Sequence, residues 1–208
     1  MNPILKRHFV WHIILSLVIF AGAVAVLTAI SVQNVREDAS EKCKTVASLT
    51  ASMIHTNYLQ DFKIVASGDP SIPEFKDAYN RIYTFIRTIK TTYKDLTFLY
   101  TFKFNNDGTK IIYLVDSEPQ ESSEFSAFGT TEKTAYPPFK IYYQNHFVPF
   151  ATTTLMSDPK WGWFISGYAP VMEGQEIIGH VATDISEAVL SDMIFNVLGW
   201  CLIVGGGG

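Results

Sequence analysis

The sequence predicts an α+β chain: a long N-terminal helix that begins in a membrane, then an antiparallel sheet of five to six strands with flanking helices. Three observations lead there. Residues 9–32 contain no Asp, Glu, Lys or Arg; at about 1.5 Å per residue they reach about 36 Å, enough to cross a hydrocarbon core of about 30 Å with some tilt. Val35, Ala39, Cys43, Val46, Thr50, Met53 and Ile54 then recur at spacings of three and four, and neither Gly nor Pro interrupts residues 31–67, so one helix with an apolar stripe is expected to leave the membrane and run over 35–62. Residues 161–185 hold two apolar runs rich in β-branched and aromatic side chains, 163–171 and 177–185, joined by Met172-Glu173-Gly174-Gln175. That is the pattern of a hairpin at the centre of a sheet.

The membrane segment sets the topology. Lys6 and Arg7 precede it, while Gln33, Asn34, Arg36, Glu37 and Asp38 follow. The basic flank places residues 1–8 in the cytoplasm and the rest of the chain outside. Ala21-Gly22-Ala23 would suit a signal peptidase, but the apolar run exceeds the ~7–15 residues of a signal peptide core, so a retained anchor over 9–32 is expected. His12 falls near its cytoplasmic end.

Residues 33–190 form the expected extracytoplasmic domain. All but one of the 20 acidic residues fall there, and all of the 16 basic ones except Lys6 and Arg7, for a net charge of −5. With no basic stripe, nucleic acid is excluded as a partner. Cys43 and Cys201 lie far apart and are not expected to pair; Cys43 reads as a small buried residue on a helix face, with a cross-link between two copies as the alternative. Residues 193–204 are apolar apart from Asn196 and are followed by four glycines. Residues 191–208 therefore read as the start of a second transmembrane helix in a piece of a longer chain. A C-terminal amphipathic stub on a complete single-pass protein is the alternative.

The elements between follow in order. Ser67-Gly68-Asp69-Pro70-Ser71 is a loop, and Pro73 suits the first turn of a second amphipathic helix over 74–93. Strands begin at Leu96: Phe98, Tyr100, Phe102 and Phe104 alternate with Leu99, Thr101 and Lys103, giving one all-aromatic face. Asn105-Asn106-Asp107-Gly108 turns the chain into a second strand over 110–116. A polar, acidic loop covers 117–131. Residues 139–147 are helical or irregular, and 148–156 form a third strand. After the hairpin, Ser186 is placed to cap an exit helix.

No H-E-x-x-H, C-x-x-C, G-x-S-x-G or P-loop pattern occurs, and the five histidines have no metal-ligand spacing. No enzyme, cofactor or metal is expected. Asp116, Glu118, Glu121 and Glu124 offer oxygen ligands, but their spacing fits no EF-hand loop. Binding is the stronger lead. Asp116 and Asp184 each end an apolar strand, where a carboxylate can meet an ammonium group of a ligand or, alternatively, serve as a turn or cap residue. Ser166 and Tyr168 share one strand face, as do Tyr100 and Phe102. The candidate ligand-binding residues are Tyr100, Asp116, Ser166, Tyr168 and Asp184. Trp161 and Trp163 read as core or lid, and His180 as a buried, hydrogen-bonded side chain.

Four stretches carry a family resemblance: Phe98-Leu99-Tyr100-Thr101-Phe102; Ile112-Tyr113-Leu114-Val115-Asp116-Ser117-Glu118-Pro119; Trp161-Gly162-Trp163-Phe164-Ile165-Ser166-Gly167-Tyr168-Ala169-Pro170-Val171; and Gly179-His180-Val181-Ala182-Thr183-Asp184-Ile185. Over about 35–186 the chain resembles a single Cache module, the PAS-like extracytoplasmic sensor domain of bacterial transmembrane signalling receptors. It departs from the pattern at Glu173-Gly174, where an Asp is common, and at His180 and Thr183, where small or apolar residues are usual. The resemblance implies a PAS-like sheet with a ligand pocket on its concave face, and exit through a second transmembrane helix. It also implies a place in the bacterial cytoplasmic (inner) membrane and an output outside this sequence: a chemoreceptor signalling domain, a histidine kinase or a diguanylate or nucleotide cyclase. The Arg-x-Trp element of the amino-acid-sensing branch has no match. The expected function is small-molecule sensing by a membrane-bound homodimer joined through the 35–62 helix. The alternative is a periplasmic protein-interaction or dimerisation module without a small ligand.

Overall fold

The computed structural model describes residues 3–134 and 136–205, with side chains placed over 11–134 and 136–199. The expectations for residues 1–8 and 191–208 therefore lie partly outside the described residues.

Helix α1 (Pro3–Asn57) has 55 residues, about 80 Å of helix. Along its first half Leu17, Val18, Ile19, Phe20 and Leu27 are between 61% and 69% exposed, an apolar surface suited to lipid. It is the one helix, among the described residues, that is long and apolar enough to cross a membrane. From Val35 onward the helix changes character. Val35, Ala39, Cys43, Val46, Thr50 and Ile54 are all buried, and the sheet of the same chain covers them. The apolar stripe over 35–62 is thus occupied within the chain, which leaves the opposite side of α1, where Leu49 is exposed, as the surface open to a second copy.

The expected unbroken helix to residue 62 is corrected. Tyr58, at φ −132° and ψ 17°, leaves the helical region, and α2 (Leu59–Ser67) restarts. The redirection brings Phe62 and Val65 into the core, and Phe62 fills the space that Gly179 leaves empty: a Cβ there would lie 2.8 Å from its ring. Gly68, at φ +81°, closes α2 with its N–H on Val65 O. Helix α3 (Phe75–Thr92) buries Phe75, Ala78, Ile82, Phe85, Ile86 and Ile89, as its periodicity predicts.

The sheet comprises β1 (Phe98–Phe104), β2 (Lys110–Asp116), β3 (Thr131–Lys133), β4 (Phe150–Ala151), β5 (Met156–Asp158), β6 (Gly162–Glu173) and β7 (Glu176–Ser186). Helix α4 (Pro137–Gln144) lies between β3 and β4, and α5 (Glu187–Gly205) follows β7. The order is β3-β2-β1-β7-β6-β4, with β5 also on β6, and every pair is antiparallel. Strands β4 and β5 pair with successive parts of β6, Phe150 with Tyr168 and Met156 with Phe164. They are one interrupted edge strand, so the sheet reads as six. The predicted strand over 148–156 is broken because Thr152 bonds with its side chain: its Oγ1 accepts the Ser166 N–H (3.0 Å) in place of a ladder carbonyl. Strand β3 was not expected from the sequence.

The predicted hairpin is present. Gly174 and Gln175 form a two-residue turn between Glu173 and Glu176, with Gly174 at φ +62°, the geometry of a type II′ turn. Alternation divides the sheet into two faces. Leu99, Ile165, Val181 and Ile185 pack on the side of α1–α3, whereas Phe98, Tyr100, Phe102, Tyr168 and Ala182 face α4 and the loops. Ser186 Oγ accepts the Val189 N–H (3.4 Å), the expected cap of α5.

Candidate ligand-binding site

A narrow cavity of about 30 Å³, half open to solvent, lies on the α4 side of the sheet. Its floor is the aromatic face of the sheet: Phe98 and Tyr100 of β1, Tyr113 and Asp116 of β2, Phe164 of β6 and Asp184 of β7. Register brings these together, since Tyr100 pairs with Asp116 on one side and Phe98 with Asp184 on the other. The roof and rim come from Glu124 and Ser126 of the loop after β2, Glu132 of β3, Tyr136 and Phe139 at α4, and Asp158 and Trp161 beside the sheet edge.

Asp184 lies at the centre. It is 6% exposed, and its Oδ1 has no hydrogen-bond partner among the described residues. Burial pushes its carboxyl up to about 7; Ser166 and Tyr100 partly offset this, while the carboxylates of Asp158 and Glu132 reinforce it. It is an interior strand residue rather than a helix cap. Asp116 differs: Oδ1 accepts the Glu118 N–H (2.9 Å) and Oδ2 the Ser126 N–H (2.8 Å). Both oxygens thus anchor the roofing loop, whose outer side is tied to α3 by a Lys90–Glu118 ion pair. Burial raises the Asp116 carboxyl to about 6, against the pull of those two N–H donors.

Glu132 Oε2 accepts from the Tyr113 hydroxyl (2.9 Å) and Trp161 Nε1 (3.4 Å). Asp158 Oδ1 accepts the N–H groups of Lys160 (2.7 Å) and Trp161 (2.9 Å), which fixes the indole at the cavity edge. Among the described residues no Lys, Arg or His lines the cavity, against five carboxylates.

Of the five residues picked from the sequence, Tyr100, Asp116 and Asp184 line the cavity; Ser166 and Tyr168 lie behind its wall. Ser166 Oγ bonds the Tyr136 hydroxyl (3.0 Å) and so braces a lining residue. Tyr168 is fully buried, stacked on Tyr142 with ring centroids 5.3 Å apart, and its hydroxyl has no partner. His180 is buried as expected, with Nδ1 3.1 Å from the Tyr142 hydroxyl, and burial lowers its pKa to about 3. Cys43 is buried too, its Sγ 3.5 Å from Ile165 O. Sequence reasoning missed Tyr113, Glu132, Tyr136 and Asp158 as wall residues. Alternation gave no signal for Tyr113: a bulge at Leu114 brings it to the face of Asp116, three residues on, where strict alternation would place it with Val115. Glu132 had none, because three residues of strand carry no readable period.

No sequence-family profile matches the chain, and no curated protein sequence matches it. Solved structures do. The E. coli DcuS sensor domain superposes with a TM-score of 0.50 at 12% identity, covering 77% of this chain and 97% of that one. The fold is that of a receptor sensor domain. The extracellular domain of vpHK1S-Z8, a protein described as a histidine kinase, matches this sensor fold with a TM-score of 0.54 at 12% identity, over 85% of this chain and 63% of that one. The ligand-binding domain of the Campylobacter jejuni chemoreceptor Tlp3, in complex with L-valine, aligns at 14% identity and a TM-score of 0.38 over 79% of this chain. The chain spans 66% of that Tlp3 domain. The long helix, the PAS-like sheet and the flanking helices thus make up the predicted fold.

Proposed function

We propose that this chain is the small-molecule-sensing region of a membrane-bound receptor in a bacterial cytoplasmic membrane, with its N-terminus cytoplasmic, residues 33–190 extracytoplasmic and its signalling output elsewhere in the protein. The observation that carries the proposal is Asp184: a buried carboxylate with an oxygen unpaired among the described residues, lining a half-open cavity, two residues before β7 gives way to α5. Sheet folds that sense ligands need a partly formed apolar pocket with a few placed polar groups, and this cavity meets that need.

The same strands reach both α1, which carries the apolar span, and α5. On the far face of the sheet, Thr183 Oγ1 donates to Cys43 O of α1 (2.9 Å). Beside it Gly167 lets α1 approach so closely that a Cβ would lie 2.5 Å from the Cys43 carbonyl carbon. Ligand contact with Asp184 therefore acts one residue from the α1 dock and two from the cap of α5. Such a shift becomes a signal when the helices have two packings of similar energy. Dimerisation, in this proposal, uses the side of α1 opposite the sheet.

The test is a thermal-shift screen of the full chain in lipid nanodiscs against small metabolites. A ligand at about 100 times its dissociation constant adds roughly 2.7 kcal/mol. A screen in which no metabolite raises the melting temperature counts against direct sensing.

A further inference from the structure

The walls of the cavity carry one sign of charge. Asp116, Glu124, Glu132, Asp158 and Asp184 line it, with no basic side chain in the lining among the described residues; Lys160 lies outside over the Trp161 ring and Lys90 behind Asp116. The roofing helix gives no help to an anion either. Helix α4 opens with Pro137 and Pro138 at its first two positions. Proline has no N–H, so two of the donors with which a helix N-terminus holds a carboxylate or phosphate are missing. The next, the Phe139 N–H, already bonds Tyr136 O (3.1 Å). A ligand with an acidic group would meet five carboxylates here and no basic group in the lining.

Asp184 states the opposite preference. Its Oδ1 is buried, makes no hydrogen bond among the described residues, although the Ser166 and Tyr100 hydroxyls lie near the carboxylate, and belongs to a side chain that lines the cavity. A buried acceptor without a partner is costly, and a charged N–H donor is the group that relieves it most. Around it stand the rings of Phe98, Tyr100 and Trp161; aromatic faces attract cations and their edges pack alkyl groups, and one face of Trp161 already carries Lys160 Nζ, 4.0 Å from the ring centroid. A metal ion fits less well. No group of three or more His, Cys, Asp or Glu among the described residues is arranged to hold one, and calcium takes about six to eight oxygens. A quaternary ammonium would satisfy the rings but leave Oδ1 without a hydrogen.

Resting on the sensing role above, we propose that the cavity selects a small protonated aliphatic amine without an acidic group, its ammonium donating to Asp184 Oδ1 and its alkyl part packed among Phe98, Tyr100 and Trp161. In the empty cavity the Asp184 carboxyl holds its proton more tightly than an exposed one; the amine takes the proton's place and the proton leaves to solvent.

The test is calorimetric titration of the full chain in nanodiscs at about pH 7.5 with four probes: n-butylamine, tetramethylammonium, butyrate and 4-aminobutyrate. The expected result is binding of n-butylamine in preference to the other three. Loss of a charge-assisted hydrogen bond in Asp184→Asn should raise its dissociation constant roughly 10- to 100-fold. Glu132→Gln, a second variant at the wall, should weaken it less. Tighter binding of butyrate or 4-aminobutyrate, or unchanged affinity in both variants, overturns the amine assignment and leaves the sensing role standing. Silence of all four probes also overturns it. The metabolite screen then judges the sensing role separately, because a ligand of another class would still raise the melting temperature.

Discussion

Replacing Asp184 by Asn should stabilise the ligand-free protein at neutral pH. Burial moves this carboxyl from its ordinary 3.8 to about 7. Between those values the folded chain holds a proton that the unfolded chain has released, so the fold loses stability as pH rises through the window and levels off above about 7. At 1.36 kcal/mol per pH unit the full effect is about 4 kcal/mol. Asn is neutral at every pH, keeps the shape and escapes the penalty. Thermal unfolding of the full chain in nanodiscs, wild type against Asp184→Asn, at about pH 4 and about pH 8, reads this directly. The two should melt together at the lower pH, and the variant should melt several degrees higher at the upper one. Asp116 titrates in both proteins and drops out of the difference. A variant that melts at or below wild type at about pH 8 would refute the reasoning, because it would mean that the carboxylate is compensated in the empty cavity.

Other outcomes follow from the same geometry. The affinity for n-butylamine should increase from about pH 5 to about pH 8 as Asp184 becomes able to ionise, and this slope should vanish in Asp184→Asn; calorimetry across that range measures both. Gly167→Ala should destabilise by about 1–3 kcal/mol or more, since its Cβ would meet Cys43 backbone atoms at 2.5 and 2.7 Å; an unchanged melting temperature would show that the α1 dock yields easily. In a Cys201→Ser background Cys43, with 0% exposure and a thiol pushed up by burial, should react with maleimide only on unfolding. Rapid labelling of the folded chain would reopen a cross-link at Cys43. Glu118→Gln should speed proteolysis within 117–130, because the Lys90 ion pair no longer holds the roofing loop to α3; equal cleavage rates would assign that role to Asp116 alone.

Much of the fold was legible because strand and helix periods are local. The aromatic alternation of Phe98, Tyr100, Phe102 and Phe104 fixed which face of β1 meets α4. The run to Asp184 likewise placed a carboxylate on an apolar strand. What periodicity does not carry is which neighbour covers a stripe. The spacing of 35–62 shows an apolar side without saying what covers it, and only the packing of Cys43 against Ile165 and Gly167 assigns it to the sheet. Ser166 and Tyr168 show the same limit at the site. They share the pocket-side face with the lining residues, yet Tyr142, Tyr136 and Phe139 close over them.

By itself the sequence determined an apolar span, an amphipathic helix leaving it and an antiparallel hairpin that ends beside an exit helix, because each depends on side chains a few residues apart. Tertiary structure alone decided that Glu132, Asp158 and Asp184, on three separate strands, would crowd one cavity without a basic partner. Their charges interact through space across distances that no sequence spacing encodes, and burial turns that interaction into a preference for what can enter.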